Sequence, residues 1–293
     1  MSTTSSVAAA AKGDPQRVDT PAFGERRFGR FNTLGLLTLY KKEVMRFIKV
    51  ASQTVFAPIV TTMLYLTVFL VAFGAERQVT LEGQDIPFAA FLPPGLIMMA
   101  VLSNAFQNAS SSLIIGKVQG SIVDILMPPL SPAELTMAFT AGAATRGLLV
   151  GLITALTVTL FMVFTGGPFA LQNIWAVVYF SMCAAIALGA FGAIAGMWAE
   201  KFDQLSLITN FVITPLTFLS GTFYSVKREG LPEWVADVSA YNPLFYLIDG
   251  FRYGFIGVSD ASPAVGAAVS LGLCVVTCYI AYALFKRGYR LKA

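Results

Sequence analysis

The chain has 293 residues, of which 56% are hydrophobic and only 12% are Asp, Glu, Lys or Arg. An ordinary soluble domain carries about twice that charged fraction, so a water-soluble globule is excluded and an integral membrane protein is implied. No His is present, which removes imidazole metal ligands, Ser-His-Asp triads and histidine proton switches. Cys183, Cys274 and Cys278 all fall in apolar runs, which argues against a disulfide scaffold or a zinc site.

Residues 1–30 are rich in Ser, Ala, Gly and Pro and hold five basic residues. No apolar core follows within signal-peptide distance, so this segment reads as a disordered cytoplasmic tail. Residues 31–50 follow as an amphipathic helix. Leu36, Leu37, Tyr40, Val44, Phe47 and Ile48 recur at helical spacing, with Lys41, Lys42, Glu43, Arg46 and Lys49 between them. Such a helix lies in the inner interface, either as an anchor or as a mechanical element.

Five uncharged runs come next, at 50–75, 86–116, 147–199, 204–226 and 261–285. About 20 residues cross the hydrocarbon core, and backbone groups there must pair internally. The third run holds two crossings, divided by Thr165-Gly166-Gly167-Pro168. The fold class is therefore all-α, with six spans near 52–73, 89–114, 140–164, 173–198, 204–223 and 263–285. They make one six-span domain over 51–288, followed by a short cytoplasmic tail at 289–293. Fifteen Lys and Arg lie on the side of the termini against four on the other, so both termini are expected in the cytoplasm. A pI near 9 is explained by basic flanks on anionic lipid, without a nucleic-acid partner.

Four features stand out. In the loop 116–134, Val118, Ile122, Ile125 and Leu126 form one greasy helix face, with Lys117 and Asp124 off it and Pro128-Pro129 as the stop. This helix either lies on lipid or docks into a groove on a soluble partner. The second feature is the long external segment after span five. It reads as two short helices dipping into the outer leaflet, broken at Asn242-Pro243, with Asp249 and Arg252 able to pair. Its aromatics, among them Phe223, Tyr224, Phe245 and Tyr246, form either an interfacial belt or a lining for a lipid- or sugar-bearing substrate. Third, Gly147 with Gly151 and Gly192 with Gly196 allow close helix packing. Fourth, Arg146 either snorkels at the inner edge of span three or, if that span starts near Leu135, lies deep and needs an acidic or phosphate partner.

The runs PLTFLSGTFYS at 215–225, LPEW at 231–234 and NPLFYLIDGFRYGFIG at 242–257, with GSIVDILMPPLSPAEL at 120–135, resemble type-2 ABC exporter permeases. The likeness extends over about residues 31–288 in the same six-span order. It implies a homodimeric permease of the bacterial inner membrane, seated on two copies of a separate ATP-binding subunit. This chain lacks a Walker A loop, so ATP and Mg are expected on that partner and no cofactor or metal on this chain. The resemblance makes 116–134 the coupling helix, with Lys117, Gly120, Ile122, Asp124, Ile125, Leu126 and Pro128 at the interface. It makes Glu200, Lys201 and Asp203 a second contact and the leading helix, with Tyr40, Lys41, Glu43 and Arg46, a transmitter of motion.

Substrate would pass between the two permease copies, beside spans two and five and below the external helices. Pro215, Leu219, Ser220 and Gly221 would supply a gate, and Phe223, Tyr224, Asn242, Phe245, Tyr246, Asp249 and Arg252 the outer part of the pathway. A lipid, lipid-linked saccharide or amphipathic drug is the expected cargo. The competing classes are a membrane-embedded lipid-modifying enzyme, which lacks a visible acid or nucleophile cluster, and a channel or structural oligomer, which would not need the amphipathic loop.

Overall fold

The computed structural model describes residues 31–81, 83–167, 171–227 and 232–291. The expected tail at 1–30 and the last two residues lie outside them. Six helices are long and apolar enough to cross a membrane: Ala51–Phe73 (α2), Phe88–Val118 (α3), Pro132–Thr165 (α5), Ile174–Trp198 (α6), Phe202–Thr222, and Pro263–Arg287 (α11). α3 is the central one, with most of its surface covered by the other helices, whereas α2 is mostly exposed.

Close helix approach builds the centre. A Cβ on Gly192 would lie 2.3 Å from the carbonyl oxygen of Phe106, and one on Gly151 would lie 2.3 Å from Cγ2 of Val101. Both glycine pairs seen in the sequence are thus seams within this chain, pressing α6 and α5 onto α3.

The bundle has two differently furnished ends. At one end Thr33–Ile48 (α1) packs along α5, next to Ile122–Leu126 (α4) in the loop between α3 and α5. At the other lie a two-stranded antiparallel hairpin, Gln78–Leu81 (β1) with Gln84–Pro87 (β2), and the helices Glu233–Tyr241 (α9) and Pro243–Ile256 (α10). The break between α9 and α10 falls at Asn242-Pro243, as expected. The hairpin was not expected from the sequence. It tucks Leu81 and Ile86 under cover and turns through Gly83 at φ +79°, a backbone region that favours glycine.

Two boundaries correct the sequence reading. Span three begins at Pro132, not near 140, because Ser131 and Glu134 form a capping box: Ser131 Oγ accepts from the Glu134 N–H and a Glu134 carboxylate oxygen accepts from the Ser131 N–H. With Pro132 at the first helical position, this is a strong start signal. Arg146 therefore sits about 21 Å along this 34-residue helix at about 1.5 Å per residue, where its side chain reaches Asn104 of α3.

The second correction concerns α1, whose inner face is not only apolar. Leu39 and Phe47 are buried, but so is Glu43. Its carboxylate accepts from Ser112 Oγ at 2.7 Å and pairs with Arg46 at 3.3 Å. Arg46 in turn donates to the Asn108 carbonyl and side-chain oxygens and to Ser111 Oγ. Polar residues of α3 thus clamp the helix, while Leu37 and Ile48 remain exposed.

Candidate functional site: a cleft between spans one, two and five

Span five is not one regular helix. Phe202–Ile208 (α7) and Thr214–Thr217 (α8) alternate with two π-helical stretches, Thr209–Ile213 and Phe218–Thr222. The second ends in a kink at Ser220 and Gly221, with Gly221 at φ 70°. Widened turns disturb the backbone ladder and leave carbonyls in need of donors. The external helices supply them. Asn242 Nδ2 donates to the Leu216 carbonyl at 2.7 Å, Ser239 Oγ to that of Leu219 at 2.6 Å, and Arg252 Nη2 to that of Gly221 at 2.7 Å.

Arg252 is wholly buried. Its guanidinium lies 3.8 Å from the centre of the Phe91 ring, donates through Nε to the Phe91 carbonyl at 3.3 Å, and stands 3.9 Å from Asp249. Asp249 also accepts from the N–H groups of Asp260 and Ala261, each at 2.9 Å. Burial pushes the Asp249 carboxyl up to about 6, against the pull of Arg252 and of those two N–H groups. Asn242, Phe245, Asp249 and Arg252, expected along the pathway, are buried. The three polar members of that group form a buttress that holds the kink of span five against the start of α3. Pro215 faces the outside of the bundle.

Nearer its start, span five borders an open space through Leu205 and Thr209. A cavity of about 720 Å³ runs between α2 and span five, floored by α3. Its wall is strongly polar for a membrane interior, with Gln53, Thr61, Ser103, Asn104 and Gln107 among its residues, and with Arg46 and Arg146 exposed to it. Toward the hairpin end the cavity stops at an aromatic septum. Tyr65 and Phe69 of span one meet Phe218 and Phe223 of span five, with Phe69 and Phe223 stacked at 4.6 Å and Phe218 and Phe223 at 4.9 Å. Beyond the septum lies a second chamber of about 620 Å³, lined by the hairpin, by Phe223, Tyr224 and Ser225, and by Arg77 and Lys227.

Of the residues expected to form the gate, Ser220 and Gly221 make the kink and Phe223 forms the septum. Tyr224 lines the outer chamber and donates to the Leu219 carbonyl at 3.3 Å. Tyr246 donates to the Ala240 carbonyl and stays near the surface. The sequence reading named spans two and five; the cleft is also walled by span one. Its signal was present: Tyr65, Phe69 and Phe73 stand four apart, on one face of a helix.

At the α1 end, the loop 116–134 is arranged differently from the expectation. Ile122 and Ile125, expected as knobs for a partner, are buried among Leu39, Leu113 and Leu135 of this chain. Lys117, expected to select partner charges, instead donates to the carbonyls of Met197 and Ala199 and closes the end of α6. What α4 offers outward is Val123, Leu126 and Met127, the last 77% exposed, with Asp124 beside them and Gly120 and Pro128 at the edges. Glu200, Lys201 and Asp203 are exposed at the same end, and Glu200 pairs with Arg290 at 3.3 Å. Tyr40 shares a hydrogen bond with Thr145 at 2.9 Å, while Lys41 faces outward.

Six membrane helices, a kinked fifth span buttressed by paired external helices, and a polar cleft shut at one end define a transport permease. Residues 35–256 match the model of the ABC-2 type transporter family, and the chain belongs to that family. It is 33% identical over 261 residues to the inner membrane transport permease YadH of Escherichia coli, an alignment covering 89% of this chain and 98% of the relative. It is also 24% identical over 258 residues to nodulation protein J of Rhizobium leguminosarum bv. viciae, covering 87% and 95%.

Proposed function

We propose that this chain is the membrane subunit of an ATP-driven exporter of the inner membrane, working as a homodimer on two copies of a separate ATP-binding subunit. The observation that carries the coupling is the two-sided build of α4. Ile122 and Ile125 fix it to the bundle, and Val123, Leu126 and Met127 form a compact apolar face turned away from the chain. A five-residue helix held rigidly with exposed Met and Leu suits insertion into a groove of a partner. The exposed turn at Glu200, Lys201 and Asp203 supplies a second contact at the same end. With both termini in the cytoplasm, these surfaces face the compartment that holds ATP.

In this reading, closure of the ATP-binding pair pushes on α4 and on α1. Because α1 is clamped to α3 through Glu43, Arg46 and Asn108, its movement shifts the wall of the cleft. Span one then moves against span five, the septum of Tyr65, Phe69, Phe218 and Phe223 parts, and cargo passes to the outer chamber. The two permease copies shift against each other as span one moves within each copy. A polar cleft beside an aromatic septum suits a cargo with a polar head and an apolar body, such as a lipid, a lipid-linked saccharide or an amphipathic drug. The relatives named for transport and for nodulation are compatible with that class.

The test uses Met127→Asp and Val123→Asp in the full chain co-expressed with its ATP-binding subunit. A charge on the outer face of α4 leaves the bundle intact, so the permease should stay monodisperse while the subunit no longer co-purifies. Retention of the subunit at wild-type stoichiometry by both variants would refute the coupling assignment. Ile125→Asp is the wrong probe, because Ile125 belongs to the core of the chain.

A further inference from the structure

The cleft carries charge that the protein itself does not balance. Arg146, on α5, turns into the cleft, and an arginine inside a membrane protein calls for a partner. Among the described residues its one side-chain partner is Asn104, whose Oδ1 accepts from Nη2 at 3.2 Å. Asn104 is held for that task, because its amide donates to the Ala100 carbonyl at 3.0 Å. The Nε of Arg146 is buried with no acceptor.

Among the described residues no carboxylate forms an ion pair with Arg146. Arg46, a charge of the same sign, shares the cavity wall with it. Glu43 balances the charge of Arg46, whose Nε too lacks an acceptor. The cleft therefore holds one positive charge in excess. Beyond the septum the exposed side chains of Arg77 and Lys227 line the outer chamber, and none of the described residues lining either chamber is acidic.

From this juxtaposition we propose that the cleft binds the anionic head group of an amphiphile, phosphate or carboxylate, on Arg146 with Arg46 beside it, and that Arg77 and Lys227 receive the same group after the septum opens. The proposal rests on the cleft being the transport route. A guanidinium offers planar paired donors that match a phosphate or carboxylate oxygen pair, and Arg146 has its Nε and one further edge unused. Gln107, Ser103 and Thr209 can complete the contacts. The bound amphiphile is either cargo or a resident bilayer lipid, and both present the same chemistry.

The experiment measures binding of dodecyl phosphate to the full chain in neutral detergent by native mass spectrometry, with dodecanol as the uncharged control. Wild type should bind the phosphate at least about tenfold more tightly than the alcohol, and Arg146→Gln should remove that preference. Arg146→Lys keeps the charge and should retain most of it. Because an unbalanced buried charge is gone, Arg146→Gln should also unfold at a higher temperature than wild type without ligand. A purely structural arginine would give the opposite sign.

Equal binding of phosphate and alcohol by wild type overturns the proposal, as does an unchanged preference in Arg146→Gln. In vesicles of neutral lipid, a rise in ATP turnover of the whole complex on adding dodecyl phosphate identifies cargo. A rise in unfolding temperature alone identifies a resident lipid. Met127→Asp separates this test from the coupling test: it should lose the ATP-binding subunit and still bind dodecyl phosphate.

Discussion

Replacing Arg252 with Met tests whether the external helices hold span five in its bent form. The guanidinium makes a charge-assisted bond to the Gly221 carbonyl at 2.7 Å, a bond to the Phe91 carbonyl at 3.3 Å and an ion pair with Asp249 at 3.9 Å, all out of reach of water. Removing one partner of a buried pair costs about 3–5 kcal/mol, since the other charge is left behind. A charge-assisted hydrogen bond alone is worth about 1.5–3 kcal/mol, so the two figures meet at about 3 kcal/mol. The Asp249 carboxylate keeps its two backbone donors, which places the total at about 4 kcal/mol. Methionine fills most of the volume, so the loss reports the polar contacts and not a cavity. Reversible unfolding in mixed detergent measures it. The double variant Asp249→Asn with Arg252→Met leaves no unpaired charge and should recover part of the loss. A single-variant cost below about 1 kcal/mol, or a double variant worse than the single, would refute the buttress.

Three further outcomes follow from the same geometry. Glu43→Ala leaves Arg46 without its counter-charge and Ser112 Oγ without its acceptor; it should cost about 2–4 kcal/mol and make the segment before α2 cleavable by protease in the folded protein. Gly192→Val places side-chain carbon within 2.3 Å of the Phe106 carbonyl and should force α6 off α3, seen as loss of monodisperse protein, whereas Gly272→Ala, with open space around it, should be silent in the same assay. Phe223→Ala removes the ring that stacks on both Phe69 and Phe218 and should open the septum, read as ATP-independent leakage of a dye across vesicles that hold the whole complex.

Much of this molecule can be read from its residues. Uncharged runs set the six spans, since each must satisfy its backbone without water. The paired external helices followed from Asn242-Pro243 and from an apolar stretch too short to cross. What escaped was the use of polar residues inside the bundle. Glu43 and Lys117 have the sequence look of solvated charges, yet both face neighbouring helices, and only three-dimensional packing supplies Ser112, Asn108 or the end of α6 as partners. Ile122 and Ile125 share a face with Leu126 by spacing, and spacing alone does not say which side of a five-residue helix the bundle takes. The early start of span three was legible, because Ser131, Pro132 and Glu134 spell a capping box. The cleft was not, as it depends on how α2, α3 and span five come together in space.

Whether the cleft is the route turns on the aromatic septum. Phe69 and Phe223, stacked at 4.6 Å, can be changed to a cysteine pair in a chain whose Cys183, Cys274 and Cys278 are replaced by Ala. The pair is then oxidised in the complex with the ATP-binding subunit and ATP turnover is followed. If span one must part from span five in each cycle, oxidation should stop turnover and reductant should restore it. Turnover that continues unchanged with the cross-link fully formed would contradict the account.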